Sequence, residues 1–201
     1  MVREGIPFVI IPFAAVIVFA MLHLWIPAAA FLLLTAFMAY FFRDPRRSIP
    51  EGSGLVVSAA DGRVTRIDKS GSEIVISVFM SPFDVHINRS PIAGTITSID
   101  YIRGKKMPAT NDNASFVNER NTLRIEGEGV NVACTQIAGI VARRIVCWPG
   151  AGEHLERGQK FGLIKFSSRA DVVLPAHADI CVAVGDKVKG GESIIAKLDG
   201  R

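Results

Sequence analysis

The residue types able to do chemistry are sparse and sit in separate motifs. They are Asp61 in Ala59-Ala60-Asp61-Gly62, His86 in Ser81-Pro82-Phe83-Asp84-Val85-His86-Ile87-Asn88, His154 and His177 in turn-like stretches, three cysteines, and the pair Ser167-Ser168 inside a strand-like run from Gly162 to Pro175. A serine hydroxyl becomes a strong nucleophile only beside a base, and histidine is the usual one. Each residue also has an ordinary structural reading. Asp-Gly is a common turn pair, a lone histidine is usually a hydrogen-bonded structural group, and two serines on a strand are an unremarkable polar doublet. No His or Cys pair has metal-ligand spacing, so no metal site is expected. Cys134, Cys147 and Cys181 are odd in number and lack a CxxC spacing, which argues against a disulfide framework and suits a reducing compartment.

The elements that would position these residues fall into two textures. After Pro50, short runs rich in Val and Ile are broken by Gly, Asp, Asn and Pro at intervals of about eight to twelve residues, the pattern of an all-β sandwich or barrel. Two echoes run through this body. Ser58–Ile67 repeats in Ser90–Ile99, and the glycine-punctuated stretch 152–164 repeats in 185–195. Paired hairpins of this kind suggest a barrel-sandwich-hybrid-like β domain, and Val184–Gly191 resembles the closing turn of biotinyl and lipoyl carriers. No modifiable lysine stands in a carrier-type triplet, so that likeness is architectural.

Before Pro50 the texture differs. Residues 5–42 contain no Asp, Glu, Lys or Arg, which is too long for one ordinary span of about 20 residues. His23-Leu24-Trp25-Ile26-Pro27 breaks the run, so the sequence predicts two short transmembrane helices, about 6–22 and 27–42, within an anchor of residues 1–47. A single long tilted helix is the alternative. Arg3 precedes the run and Arg43, Arg46 and Arg47 follow it, which favours an even number of spans and puts residues 48–201 on the cytoplasmic side of the cell membrane. With 23 basic and 19 acidic residues the net charge is only +4. Neither a long basic face nor a basic-aromatic surface is present, so nucleic acid is not an expected partner; the arginines after the apolar run suit anionic lipid headgroups.

Five ordered motifs resemble the phosphatidylserine decarboxylase family in its short bacterial and archaeal form, over essentially the whole chain. They are the apolar hairpin ending in Phe41-Phe42-Arg43-Asp44-Pro45-Arg46-Arg47, then Ala60–Val64, Phe79–Arg89 and Asn118-Glu119-Arg120-Asn121, and finally Gly158–Val172. The resemblance implies an enzyme that makes its own cofactor. Ser168 attacks the preceding carbonyl, the chain breaks between Ser167 and Ser168, and a pyruvoyl group remains on residue 168. It further implies Ser168, His86 and Asp61 as the catalytic set, with the aspartate orienting the imidazole. Asp84, Arg89, Asn118 and Arg120 would lie at the substrate site, phosphatidylserine in the bilayer would be the substrate, and the two cleaved chains would stay associated; a homo-oligomer is left open. Two positions depart from the pattern. Arg89 stands where longer members carry a second histidine, and Ser167 stands where glycine usually precedes the cleaved serine. The rival readings are a non-processed, non-catalytic membrane-tethered β module, and a decarboxylase of an ether-lipid phosphoserine headgroup.

Overall fold

The fold was analysed in a computed structural model that describes residues 1–69, 71–105, 107, 117–127, 129–139, 144–166 and 168–198. The chain divides into two compact units, Met1–Arg46 and Arg47–Arg201.

The first unit is a helical hairpin of α1 (Ile6–Met21) and α2 (Trp25–Phe41). His23 turns the chain between them in the left-handed region, at φ 56°. Phe19 stacks on Phe31 at 5.4 Å, and the Val2 amide donates to the Phe42 carbonyl, so both ends of the unit meet. Ile10, Ile11, Ile26 and Leu33 are exposed. Helices apolar on every side are suited to a lipid surrounding rather than to water. The stretch Arg3–Met21 is long and apolar enough to cross a membrane, whereas Trp25–Phe41 is apolar but shorter. The second helix starts two residues earlier than Pro27 suggests. Proline is tolerated there because first-turn N–H groups have no intrahelical acceptor.

The second unit is all β. Its strands among the described residues are β1 (Leu55–Val57), β2 (Gly62–Asp68), β3 (Glu73–Met80), β4 (Ile87–Arg89), β5 (Gly94–Ile102), β6 (Arg120–Gly127), β7 (Val130–Ala138), β8 (Ile145–Cys147), β9 (His154–Leu155), β10 (Lys160–Ile164), β11 (Ser168–Pro175), β12 (Asp179–Ile180), β13 (Lys187–Val188) and β14 (Ile194–Lys197). Eight of them form a curled half-barrel in the order β13-β2-β3-β11-β7-β6-β5-β9. Two three-stranded sheets, β4-β10-β8 and β1-β14-β12, complete the unit. Alternation makes the core. Val64, Ile76, Val78, Ile96, Leu123, Ile125, Val132, Val172 and Leu174 point inward and are almost fully buried, each contributing about 1.5–3 kcal/mol relative to an exposed position.

The sequence echoes are structural repeats. Ser58 Oγ donates to the Ala60 carbonyl and Ser90 Oγ to the Ile92 carbonyl, both at 2.7 Å. The strands that follow, β2 and β5, share the same inward–outward start and both shift register at the same place, after Val64 and after Ile96. The second pair of echoes closes on the first. Val64 N–H donates to Asp186 and Gly185 N–H to Val64, while Ile96 N–H donates to Glu153 and Gly152 N–H to Ile96. Asp61 in one repeat corresponds to Ala93 in the other, so the carboxylate is where the repeat departs from itself.

Candidate active site

The joint between two sheets organises the site. Strand β10 belongs to the sheet β4-β10-β8, and with only three residues between them the chain passes from its end into β11, in the middle of the half-barrel. Ser167 lies outside the described residues. Phe166, beside it, has φ +68°. A bulky side chain in the left-handed region is a strained conformation, and it stands two residues before Ser168.

Ser168 opens β11 and is fully buried, opposite Met80 on β3 and Ala138 on β7. Its hydroxyl lies 3.7 Å from Met80 Sδ. Residues 168–173 are laddered on both sides, so the strand holds residue 168 without help from the residues before it.

His86 precedes β4 and is nearly fully buried. Its carbonyl accepts from the Ile164 amide at 3.2 Å, which ties it to the end of β10. Ring Nδ1 is 3.0 Å from the Asp84 carbonyl. A carbonyl can only accept, so Nδ1 carries the proton and Nε2 is the basic nitrogen.

Asp61 stands just before β2, whose Arg63 pairs with Phe79, next to Met80. The close approach of β2 to β3 requires Gly62, at φ 146°, because a side chain there would collide with the Phe79 carbonyl. The Asp61 carboxylate accepts from Arg47 Nη2 at Oδ2 and from the Gly190 amide at Oδ1, both at 2.8 Å. Asp61 therefore joins the start of the second unit to the chain segment that follows Ser168.

The residues expected at the substrate site are bound into the fold to different degrees. Asp84 Oδ2 accepts from Ser81 N at 2.8 Å and Ser81 Oγ at 2.6 Å, closing the turn before His86. Arg89 is buried and donates to the Gly158 carbonyl at 2.9 Å. Asn118 uses its amide on Met107 N, Met107 O and Ala138 O, at 2.8–2.9 Å. Arg120 is half-buried at the start of β6, with Nη1 3.4 Å from the Asn118 carbonyl. It pairs with Ile137, one residue from the Ala138 that faces Ser168.

Two buried polar groups were missed in the sequence. Gln136 on β7 donates from Nε2 to Asn88 Oδ1 at 2.9 Å and to the Val146 carbonyl at 3.3 Å, and it accepts from Asn121 at 3.1 Å. It thus staples β4 and β8, the two neighbours of β10, to the strand beside β11. Gly162 permits this, since a Cβ there would crowd both the Val146 carbonyl and Gln136 Nε2. The second group is Arg169 and Asp171, on the opposite face of β11 from Ser168. Nε–Oδ1 is 2.9 Å and Nη2–Oδ2 is 3.2 Å, with side chains only 2% and 7% exposed. Period-two spacing of Arg and Asp inside an apolar strand, and amides within Val- and Ile-rich runs, were the signals available. Among the described residues no cluster of His, Cys, Asp and Glu suits a metal ion.

Residues 34–196 match the family model described as phosphatidylserine decarboxylase. The chain is 44% identical to the phosphatidylserine decarboxylase proenzyme of Symbiobacterium thermophilum, over 98% of this chain and 94% of that one. Against the proenzyme of Nitrosomonas europaea the figures are 43%, 98% and 94%, and against that of Geobacter sulfurreducens 40%, 97% and 95%. With the likeness spanning both the apolar hairpin and the β unit, the chain belongs to the phosphatidylserine decarboxylase family.

Proposed function

We propose that this chain is a membrane-anchored proenzyme that cleaves itself between Ser167 and Ser168 and then decarboxylates phosphatidylserine to phosphatidylethanolamine. The observation that carries the reading is the joint at Ser168: a buried hydroxyl at the head of a strand laddered on both sides, two residues after the strained Phe166, with His86 tied to the end of β10 that leads into it.

In the self-cleavage, Ser168 Oγ attacks the carbonyl carbon of residue 167 and its proton passes to His86 Nε2. The C–N bond breaks, the amide nitrogen takes a proton and an ester joins the two segments. Removal of the Cα proton of residue 168 expels the carboxylate of residues 1–167. Water then displaces ammonia and leaves a pyruvoyl group on the new N-terminus. The site fits such a group: the β11 ladder holds residue 168 after the break, and the buried surroundings exclude bulk water. The ladder, together with Asp61 and Gly190 on opposite sides of the cut, would keep the two chains together. Once formed, the pyruvoyl group supplies an electrophilic carbonyl and an electron sink, the service that pyridoxal phosphate performs elsewhere.

The remaining work falls to the chain's own residues. His86 holds a transferable proton at Nε2 for the carbon that loses carbon dioxide. Arg120, half-buried at the same sheet end as Ser168, binds the headgroup phosphate. Asp84 and Asn118 fix the turns around it, and Arg89 holds the loop at Gly158. Asp61, engaged by Arg47 and Gly190, acts on the position of β2 beside Met80. The apolar hairpin keeps the enzyme in the layer its lipid occupies, and Arg3, Arg43, Arg46 and Arg47 favour the cytoplasmic side.

The test is turnover. Purified protein reconstituted with phosphatidylserine vesicles should release phosphatidylethanolamine, and Ser168→Ala should release none. Equal product from the variant would overturn the assignment.

A further inference from the structure

The two ends of the half-barrel differ. At the end where β11 begins stand Phe83, 67% exposed in the loop after β3, and Tyr101 and Ile102, 51% and 44% exposed at the end of β5. Exposed basic residues accompany them: Arg103 and Lys105 follow Ile102, and the Arg144 carbonyl accepts from Lys165 just before the Ser168 joint. Of the nearby carboxylates Asp100 on β5 is exposed, with Ser98 Oγ at 3.5 Å, and the others are engaged. Asp84 is bonded to Ser81, Asp61 to Arg47, and Glu119 accepts from the Tyr101 hydroxyl at 2.6 Å. At the opposite end, Glu73, Glu126 and Asp179 are exposed beside Lys69, Arg124 and His177, and no large apolar side chain is exposed there among the described residues.

Large apolar side chains held in water serve a purpose when grouped with cations at one pole of a domain. Aromatic and aliphatic groups settle at the headgroup boundary of a bilayer, about 5–10 Å deep, and each Lys or Arg near an anionic surface strengthens the attraction by about fivefold. We propose that the β unit lays this end, with Phe83, Tyr101, Ile102, Arg103, Lys105 and Arg144, directly on an anionic lipid surface. The end of the half-barrel where β11 begins then faces the headgroup layer, so the substrate's amine and carboxylate approach Ser168 from that side without the acyl chains leaving the bilayer. The inference rests on the reading that the substrate is a bilayer phospholipid.

Two measurements on the full chain, reconstituted in vesicles of phosphatidylglycerol and phosphatidylcholine, test the proposal and separate it from that reading. In a Trp25→Phe/Trp148→Phe background, a single tryptophan is introduced by Phe83→Trp or, as the opposite-end control, by His177→Trp. Acyl-brominated lipid should quench the first strongly and leave the second nearly unchanged, since contact with the boundary is confined to about 10 Å. Equal quenching, or none at position 83, overturns the proposal whether or not the enzyme turns over. In the second measurement, Arg103→Glu/Lys105→Glu should lower decarboxylation of vesicle phosphatidylserine by about tenfold or more. The same variant should leave that of monomeric dihexanoyl phosphatidylserine within about twofold, because reversed surface charges act on docking and not on chemistry. An equal loss on both substrates also overturns it. Absence of turnover in the unsubstituted protein would strike the decarboxylase reading instead, and the quenching result would still decide docking.

Discussion

Ser168 Oγ and Met80 Sδ face each other across the β11–β3 ladder, 3.7 Å apart and shielded from solvent. A thioether is a weak acceptor, so the hydroxyl is held in place without being strongly bound and can turn toward the preceding carbonyl at small cost. Met80→Leu, which keeps the volume and removes the sulfur, should leave self-cleavage within about threefold and cost less than about 1.5 kcal/mol of stability. Met80→Ala should cost about 2–5 kcal/mol through the cavity it leaves. Cleavage time courses and thermal unfolding of the two variants check this; a Met80→Leu protein that never cleaves would assign the sulfur a chemical role.

Gln136 is the staple across the joint. Gln136→Leu leaves Asn88 Oδ1 and the Val146 carbonyl buried without this donor, a loss of about 1–3 kcal/mol for each group left unsatisfied. Because the freed strands flank β10, cleavage should slow by more than the stability loss explains. Comparison with Met80→Ala, at similar stability, gives the control. Equal cleavage rates in the two would reduce Gln136 to a packing residue.

The Arg169–Asp171 pair sits on the strand that carries Ser168 but on its other face. Removing one partner strands a buried charge, so Arg169→Met or Asp171→Leu alone should destabilise by about 3–5 kcal/mol. The double substitution should recover most of that loss. Chemical denaturation of the three variants gives the coupling directly, and additive single losses would show that the pair is not an energetic unit.

The cysteines carry a pH dependence. Burial, reinforced by the Asp171 and Cys147 charges, pushes the Cys134 thiol well above its ordinary value, and burial also raises Cys147. A raised thiol pKa means that the folded state holds the proton more tightly than the unfolded state. The stabilisation is therefore complete below the unfolded value of about 8.5 and is lost as pH rises above it. Cys134→Val should flatten the decline of unfolding free energy between about pH 8.5 and 10.5. At neutral pH a thiol reagent should modify the exposed Cys181 first and leave Cys134 untouched until unfolding.

Much of the fold was legible because its signals are local. The uncharged run from 5 to 42 broken at His23, the Val- and Ile-rich strands, and the repeats at 58–67 and 90–99 all depend on neighbours in sequence. The apolar helical hairpin and the all-β body could be read from them. The partners of the polar side chains could not. Nothing near Asp61 in sequence points to Arg47 or Gly190, and nothing near Gln136 points to Asn88 and Val146. The Gln136 contacts arise only when β4-β10-β8 closes on the half-barrel, and those of Asp61 only when the segments around residues 47 and 190 pack beside β2. The left-handed backbone at Phe166, two residues before Ser168, lies where no composition rule would look for strain.

The central claim is that the bond between Ser167 and Ser168 breaks and leaves a modified residue 168. Intact mass of the purified, denatured protein tests it most directly. Two chains should be found, residues 1–167 and a short chain from 168 to 201 whose N-terminal mass fits pyruvoyl rather than serine, and Ser168→Ala should give one uncut chain. A single full-length chain from the unsubstituted protein after prolonged incubation, or a cut whose short chain begins with an intact serine, would contradict it.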